Sequence, residues 1–232
     1  MNVIVVGPAA SGKSTFVWKF LEYLRRKGYD AKAVNLDPAT PPCYEAAVDV
    51  RTYVRTEDVM TEYGLGINGA LLKSMEFAAK YVNELIISAD FVLYDTPGQM
   101  EVFLYSKAGL DLLNEIPAFK AGVFLAAADV ASTPENFVSV LAQCAVVSLR
   151  TALPTLTVFS KCDITKPPTI QDVKERFAEG GTLAELMEKL LAFLECTTLP
   201  YRTIEVSATK GLGFDDVFSA LNELFCSCGD LS

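Results

Sequence analysis

Residues 7–14 read Gly7-Pro8-Ala9-Ala10-Ser11-Gly12-Lys13-Ser14, which fits the phosphate-binding pattern G-x-x-x-x-G-K-[ST]. Consecutive backbone N–H groups in such a turn, with the N-terminus of the following helix, make a nest for the β- and γ-phosphates of a nucleotide. Gly7, Ala10, Ser11, Gly12, Lys13, Ser14 and Thr15 are the expected phosphate-contacting residues. Lys13 would neutralise phosphate oxygens, and the Ser14 hydroxyl would ligate Mg²⁺. A glycine-rich connector is the plainer alternative. It leaves unexplained the apolar run Val3-Ile4-Val5-Val6 before the loop and the helical stretch after it.

Asp95-Thr96-Pro97-Gly98-Gln99 ends a second apolar run, Phe91-Val92-Leu93-Tyr94. Ligands of open α/β sheets sit at the carboxyl ends of the strands. Asp95 is therefore placed to hold Mg²⁺, directly or through a water. Gly98 lets its N–H approach a γ-phosphate with no side chain in the way. That contact would exist with a triphosphate and vanish with a diphosphate, which makes a switch. Gln99 and Glu101 are candidates to place the attacking water. The same residues are also good turn formers, but an upstream phosphate loop favours the switch. Asp37, in Asn35-Leu36-Asp37-Pro38-Ala39-Thr40, ends a further strand. Its carboxylate would polarise the water or contact Lys13 and Mg²⁺, the alternative being an Asp-Pro turn.

Ser160-Lys161-Cys162-Asp163 follows the strand 155–159 and is similar to N-K-x-D, the guanine-reading box of GTPases. A carboxylate at Asp163 accepts hydrogen bonds from guanine N1–H and the 2-amino group, a donor pair that adenine lacks. The aliphatic stem of Lys161 packs along the base. Ser160 replaces the usual Asn and is too short for the same amide contacts. Ser207-Ala208-Thr209 resembles the S-A-[KT] turn, whose backbone N–H meets guanine O6. The alternative for these two boxes is ordinary loops in a P-loop ATPase.

Strands and helices alternate along the chain. That pattern implies an α/β fold with an open, mostly parallel sheet flanked by helices on both faces. Expected strands are 2–6, 31–35, 91–95, 122–127, 155–160 and 202–205. Expected helices are 14–27, 69–88, 102–114, 134–152, 182–196 and 213–226. Gly28 suits the position just past the first helix. Residues 38–68 are the least regular, with Pro38, Pro41 and Pro42, and are a candidate switch region or an ordinary surface excursion. A single domain over 1–232 is expected, with an irregular and helical insertion at about 38–80.

The chain has 232 residues, 51% hydrophobic, enough for one well-filled α/β core. No apolar run approaches the roughly 18 residues that span a bilayer. The N-terminus reads as a core strand and not as a signal peptide, so a cytoplasmic protein is expected. A net charge of −9 argues against nonspecific nucleic-acid binding. Cys43, Cys144, Cys162, Cys196, Cys226 and Cys228 include no C-x-x-C pair, and there is no histidine. Free thiols in a reducing compartment are expected, without a zinc site.

Together these motifs resemble those of the GPN-loop GTPases over essentially the whole chain. The resemblance rests on residues 7–14, 35–39, 95–99 with Glu101, 160–163 and 207–208. The naming tripeptide falls at Gly66-Ile67-Asn68. The short length is similar to that of archaeal members. The resemblance implies a homodimeric, Mg²⁺-dependent GTPase that cycles between GTP and GDP, related to the dimeric class of the signal-recognition particle and MinD. It implies that Asn68 reaches the phosphates bound by the other subunit, while Asp37, Gln99 and Glu101 position the water. It implies a protein client in assembly of a multisubunit complex, RNA polymerase among eukaryotic relatives. Ile67 replaces the proline of the tripeptide and frees φ at that position. Two rival readings are a nucleotide-dependent scaffold with incidental turnover and a P-loop phosphotransferase. The latter should carry a lid of clustered arginines, and the one basic run noted is Arg25-Arg26-Lys27. An ATPase of the MinD type would carry an extra lysine early in the loop, absent between Pro8 and Ser11.

Overall fold

The computed structural model describes residues 1–178, 180–195 and 203–226. They divide into two compact units, Met1–Gly122 and Val123–Ser232.

In the first unit, β1 (Asn2–Val6) leads into α1 (Lys13–Arg26) and β2 (Ala31–Asn35). A two-residue β3 (Val48–Asp49) and a 3₁₀ turn at Val50–Thr52 come next. The helices α2 (Thr56–Tyr63), α3 (Ile67–Ala78) and α4 (Val82–Leu85) precede β4 (Phe91–Asp95). The unit continues through α5 (Met100–Tyr105) and α6 (Lys107–Glu115) into β5 (Lys120–Ala127), which runs on into the second unit. The second unit contains α7 (Pro134–Thr151), β6 (Thr155–Ser160), α8 (Ile170–Phe177), α9 (Thr182–Glu195), β7 (Ile204–Glu205) and α10 (Phe214–Cys226).

The seven strands follow the order β3-β2-β4-β1-β5-β6-β7. The pairs β1/β4, β2/β4, β2/β3 and β6/β7 are all parallel. Every residue of β1 and β4 is buried, as continuous apolar runs in a sheet covered on both faces must be. In the first unit α1 packs on β2 and β4, and in the second α7 and α10 pack on β6. The register sets Asn35 beside Asp95 and Val5 beside Asp95. The carboxyl ends of β1, β2 and β4 thus meet at one edge.

Four strands have the bounds the sequence implies: 2–6, 31–35, 91–95 and 155–160. The strand expected at 202–205 shows residues 204–205, with Arg202 outside the described residues. The end of the helix expected at 182–196 also lies outside them. The expected helix 69–88 starts earlier, at Ile67, and breaks into a 3₁₀ turn at Ala79–Tyr81. The expected helix 102–114 is two helices. Ser106 has extended φ and ψ, and its side chain accepts the Gly109 N–H as a fresh cap. Strand β3 and the helix α8 are additions to the sequence reading, while α2 falls within the irregular and helical insertion expected at about 38–80. Among the described residues no helix is long and apolar enough to cross a membrane.

Candidate nucleotide-binding site

The phosphate loop leaves β1 at Gly7 and re-enters helix at Lys13. Gly12 takes φ +87° and Ala10 φ +62°. The left-handed turn at Gly12, open at no steric cost to glycine, aims the first N–H groups of α1 back over the loop. No side chain caps that helix start, so its free donors face the space where phosphates would sit. Ser11 is buried under the loop, and its N–H donates to Pro8 O at 3.3 Å. The Lys13 ammonium donates to Gly7 O at 2.8 Å and to Pro8 O at 3.0 Å. Burial lowers its pKa, opposed by the nearby charges of Asp95, Asp37 and Glu101. Three carboxylates thus act electrostatically on one buried cation, Asp95 the most strongly.

Asp95 ends β4 almost fully buried, at 2% exposure. The Tyr44 hydroxyl donates to its Oδ2 at 3.1 Å. Ser14 approaches the same carboxylate and favours its ionised form. Oδ1 is buried without a well-formed hydrogen bond. Desolvation dominates and pushes the Asp95 pKa up to about 6. The Tyr44 phenol is raised well above its ordinary value, by burial and then by the Asp95 charge. A buried carboxylate with an orphaned oxygen, beside a serine hydroxyl, suits Mg²⁺. That ion takes one or two protein oxygens and completes its octahedron with water and phosphate oxygens. Ser14 and Asp95 are the residues that would hold it.

Asp37 joins two loops. Its Oδ1 accepts the Ala39 N–H at 2.8 Å and its Oδ2 accepts the Gly98 N–H at 3.1 Å. The Asp-Pro turn is thus present, and the outer oxygen reaches across to the loop after β4. Asn35 builds the turn: its Oδ1 accepts the Asp37 N–H at 3.1 Å, and its Nδ2 donates to Asp49 Oδ1 at 2.9 Å. The Thr96 hydroxyl donates to Val5 O at 2.8 Å and pins the loop after β4 to β1. Gln99 occupies the position just before α5 without capping it, and its Nε2 donates to Asn68 Oδ1 of the same chain at 3.0 Å. Glu101 lies exposed in the first turn of α5.

The second unit carries the base-reading candidates. Ser160 is buried at the end of β6, and its hydroxyl donates to Ala126 O at 3.4 Å. Lys161 takes φ +59°, a left-handed conformation that costs a non-glycine residue roughly 1–2 kcal/mol. A hydrogen bond with the Ser207 side chain holds the Asp163 carboxyl below the usual carboxylate range. Lys210 Nζ stands 3.8 Å from Asp163 Oδ2. Ser207 and Leu212 exchange backbone hydrogen bonds at 3.1 and 3.0 Å, closing a tight turn around Ala208. Cys162 N–H donates to Val206 O at 3.1 Å, which lashes this turn to the 160–163 loop.

The structure therefore gathers Lys13, Ser14, Asp37, Asp95 and Gly98 in the first unit, with Gln99 bonded to Asn68. It brings Asp163 to Ser207 in the second. Tyr44, Asn35 and Thr96 as structural partners escaped the sequence reading. Asn35 alone had a visible signal, an Asn two residues before an Asp-Pro turn. Cys43, Cys144 and Cys162 are free thiols, and burial pushes Cys144 and Cys162 up to about 11. Cys196 and Cys228 lie outside the described residues. Among the described residues no three His, Cys, Asp or Glu side chains form a metal cluster.

A phosphate loop after the first strand, with a carboxylate ending the neighbouring parallel strand, defines the P-loop nucleoside-triphosphatase class. A family model described as "Conserved hypothetical ATP binding protein" matches residues 5–227. The GPN-loop GTPase PAB0955 of Pyrococcus abyssi is 32% identical over 251 residues, covering 100% of both chains. The GPN-loop GTPase 1 of Dictyostelium discoideum is 28% identical over 95% of this chain and 60% of its own length. The crystal structure of PAB0955 from Pyrococcus abyssi, a GTPase in apo form, superposes with a TM-score of 0.77 at 28% identity, covering 98% of each chain. The chain belongs to the GPN-loop GTPase family.

Proposed function

We propose that this chain binds GTP with Mg²⁺ and hydrolyses it to GDP and phosphate, as a homodimeric cytoplasmic switch in assembly of a protein complex. The observation that carries the reading is the buried Lys13, bonded to the carbonyls of the phosphate loop, with the buried Asp37 and Asp95 at the adjacent strand ends acting on it. Buried ionisable groups converging at the carboxyl ends of parallel strands, against a helix N-terminus, suit a polyphosphate and its metal. Mg²⁺ bound by Ser14 and Asp95 would neutralise charge on the phosphate oxygens. Lys13 would exchange its two carbonyl acceptors for anionic ones. The Gly98 N–H would leave Asp37 Oδ2 for the γ-phosphate, freeing that carboxylate to accept a proton from the attacking water. Gln99 would orient the water, with Glu101 beside it. Asp163 and the Ser207-Ala208 turn would select guanine. The family description speaks of ATP and the relatives' names of GTP. The Asp163–Ser207 pairing favours GTP. The client is a multisubunit assembly, RNA polymerase by family resemblance alone.

Asn68 supports two arrangements. Family resemblance has it act on the partner's phosphates. The intrachain bond from Gln99 favours a second, in which Asn68 orients Gln99 of its own subunit. Phosphate release from GTP and ATP, with Mg²⁺ and at several protein concentrations, tests the function. GTP-selective release whose specific activity rises with concentration supports it. Tight GTP binding with no release from either nucleotide replaces it with the scaffold reading. Mixing Asn68→Ala with Lys13→Ala subunits then separates the arrangements. Regained turnover places Asn68 in trans, and its absence places Asn68 in cis.

A further inference from the structure

The Tyr44–Asp95 hydrogen bond joins groups 51 residues apart in sequence. Tyr44 comes from the stretch between β2 and β3, outside every nucleotide motif. It is 9% exposed, and the carboxylate it touches is 2% exposed. The two oxygens of Asp95 have different fates. Oδ2 accepts from the phenol, while Oδ1 is buried without a well-formed hydrogen bond, the Ser14 hydroxyl being the other group that approaches the carboxylate. Rotation about the terminal torsion of an aspartate is soft and exchanges its oxygens. A single donor fixed on one oxygen decides which is left to bind a cation.

We propose that Tyr44 is a positioning residue for the Mg²⁺ site: its hydroxyl holds Asp95 Oδ2 so that Oδ1 is presented to the ion beside the Ser14 hydroxyl. The inference rests on the reading of Ser14 and Asp95 as Mg²⁺ ligands. Ligating carboxylates depend on such outer hydrogen bonds, and loss of one typically costs 10–100-fold in metal affinity. The arrangement also makes the 38–49 stretch a reader of the metal, because Tyr44 feels whatever Asp95 binds.

Tyr44→Phe removes the hydroxyl and keeps the ring. The experiment follows release of a fluorescent GDP analogue from the full chain by stopped flow, across a Mg²⁺ titration and in EDTA, with melting curves for both proteins. In the wild type, Mg²⁺ slows release. In Tyr44→Phe the half-saturating Mg²⁺ concentration rises about 10–100-fold. The rate in EDTA stays unchanged, and excess Mg²⁺ restores the wild-type rate. A half-saturating concentration equal to wild type overturns the proposal. So does an accelerated rate in EDTA that excess Mg²⁺ leaves uncorrected, the mark of a hydroxyl needed only for packing. Wild-type release indifferent to Mg²⁺ removes Ser14 and Asp95 as ligands, and the role of Tyr44 falls with them.

Discussion

Asp95→Asn should make the protein more stable and its nucleotide binding worse. The carboxyl is buried at the end of β4, and desolvation lifts its pKa from 3.8 to about 6 despite help from Ser14, Tyr44 and Lys13. At about 1.4 kcal/mol per pH unit, holding that group ionised at neutral pH costs roughly 3 kcal/mol of folding free energy. An asparagine keeps an acceptor for Tyr44 and removes the charge. In EDTA and stripped of nucleotide, the variant is expected to gain up to about 3 kcal/mol at pH 7.5. For a chain of this length that is a rise of up to roughly 10 °C in melting temperature. The sign with pH follows from the raised folded value. The wild-type carboxyl contributes its full stability below about pH 4 and loses it as pH rises through about 6. The gap between the proteins therefore opens across that window and is flat above it. With Mg²⁺ and GTP the order inverts, because ligand binding stabilises only the form that binds. A variant no more stable than wild type at pH 7.5 refutes the argument. A gap equal at pH 4.5 and pH 7.5 does the same.

Lys161→Gly relieves the φ of +59° and should raise unfolding stability by up to about 1 kcal/mol. Competition between GTP and ATP should show weaker guanine preference, since the stem proposed to pack on the base is gone. Gly213→Ala places a Cβ 2.1 Å from Glu205 O at a φ of +83°, so a loss above about 2 kcal/mol is expected by denaturant unfolding. Asp37→Ala frees the Gly98 N–H while removing the proposed proton acceptor. Turnover should fall at least about 100-fold with GTP affinity retained, as fluorescence titration against single-turnover hydrolysis would show.

The central strands were legible because burial on both faces leaves little choice but continuous apolar runs, and Val3–Val6 and Phe91–Tyr94 have no other reading. The phosphate loop was legible because its backbone demands glycine and its chemistry demands Lys13 and Ser14. What escaped was set by tertiary partners. Strand β3 is two residues long and exists because Val48 and Asp49 register against Val34 and Asn35. Helix α8 opens on a capping box of Thr169 and Asp172, a local signal masked by the adjacent Pro167 and Pro168. The break at Ser106 needed the knowledge that its side chain would turn back to Gly109. Tyr44 carries no motif at all. Its role follows from where the chain between β2 and β3 returns to the sheet, which no short pattern encodes.

Two hydrogen bonds of opposite direction tie the segment after β2 to the segment at the end of β4. Asp37, on the first, accepts the Gly98 N–H of the second. Tyr44, on the first, donates to Asp95 of the second. Each bond involves a carboxylate, and such bonds are worth roughly 1.5–3 kcal/mol when formed away from water. On the proposed reading a γ-phosphate would compete for the Gly98 donor, and a cation for the Asp95 oxygens. Both ligands would then act on the same pair of segments, one at each end. Disturbing either bond weakens the template for the other, because Asn35 and the parallel register hold both segments in one frame. A bias of about 3 kcal/mol changes a two-state ratio by more than 100-fold, enough to couple occupancy of the phosphate loop to the position of residues 38–49. Nucleotide state would thus reach α2 and α3 through side chains already bonded across the sheet edge, and Asn68, in the first turn of α3, lies on that route.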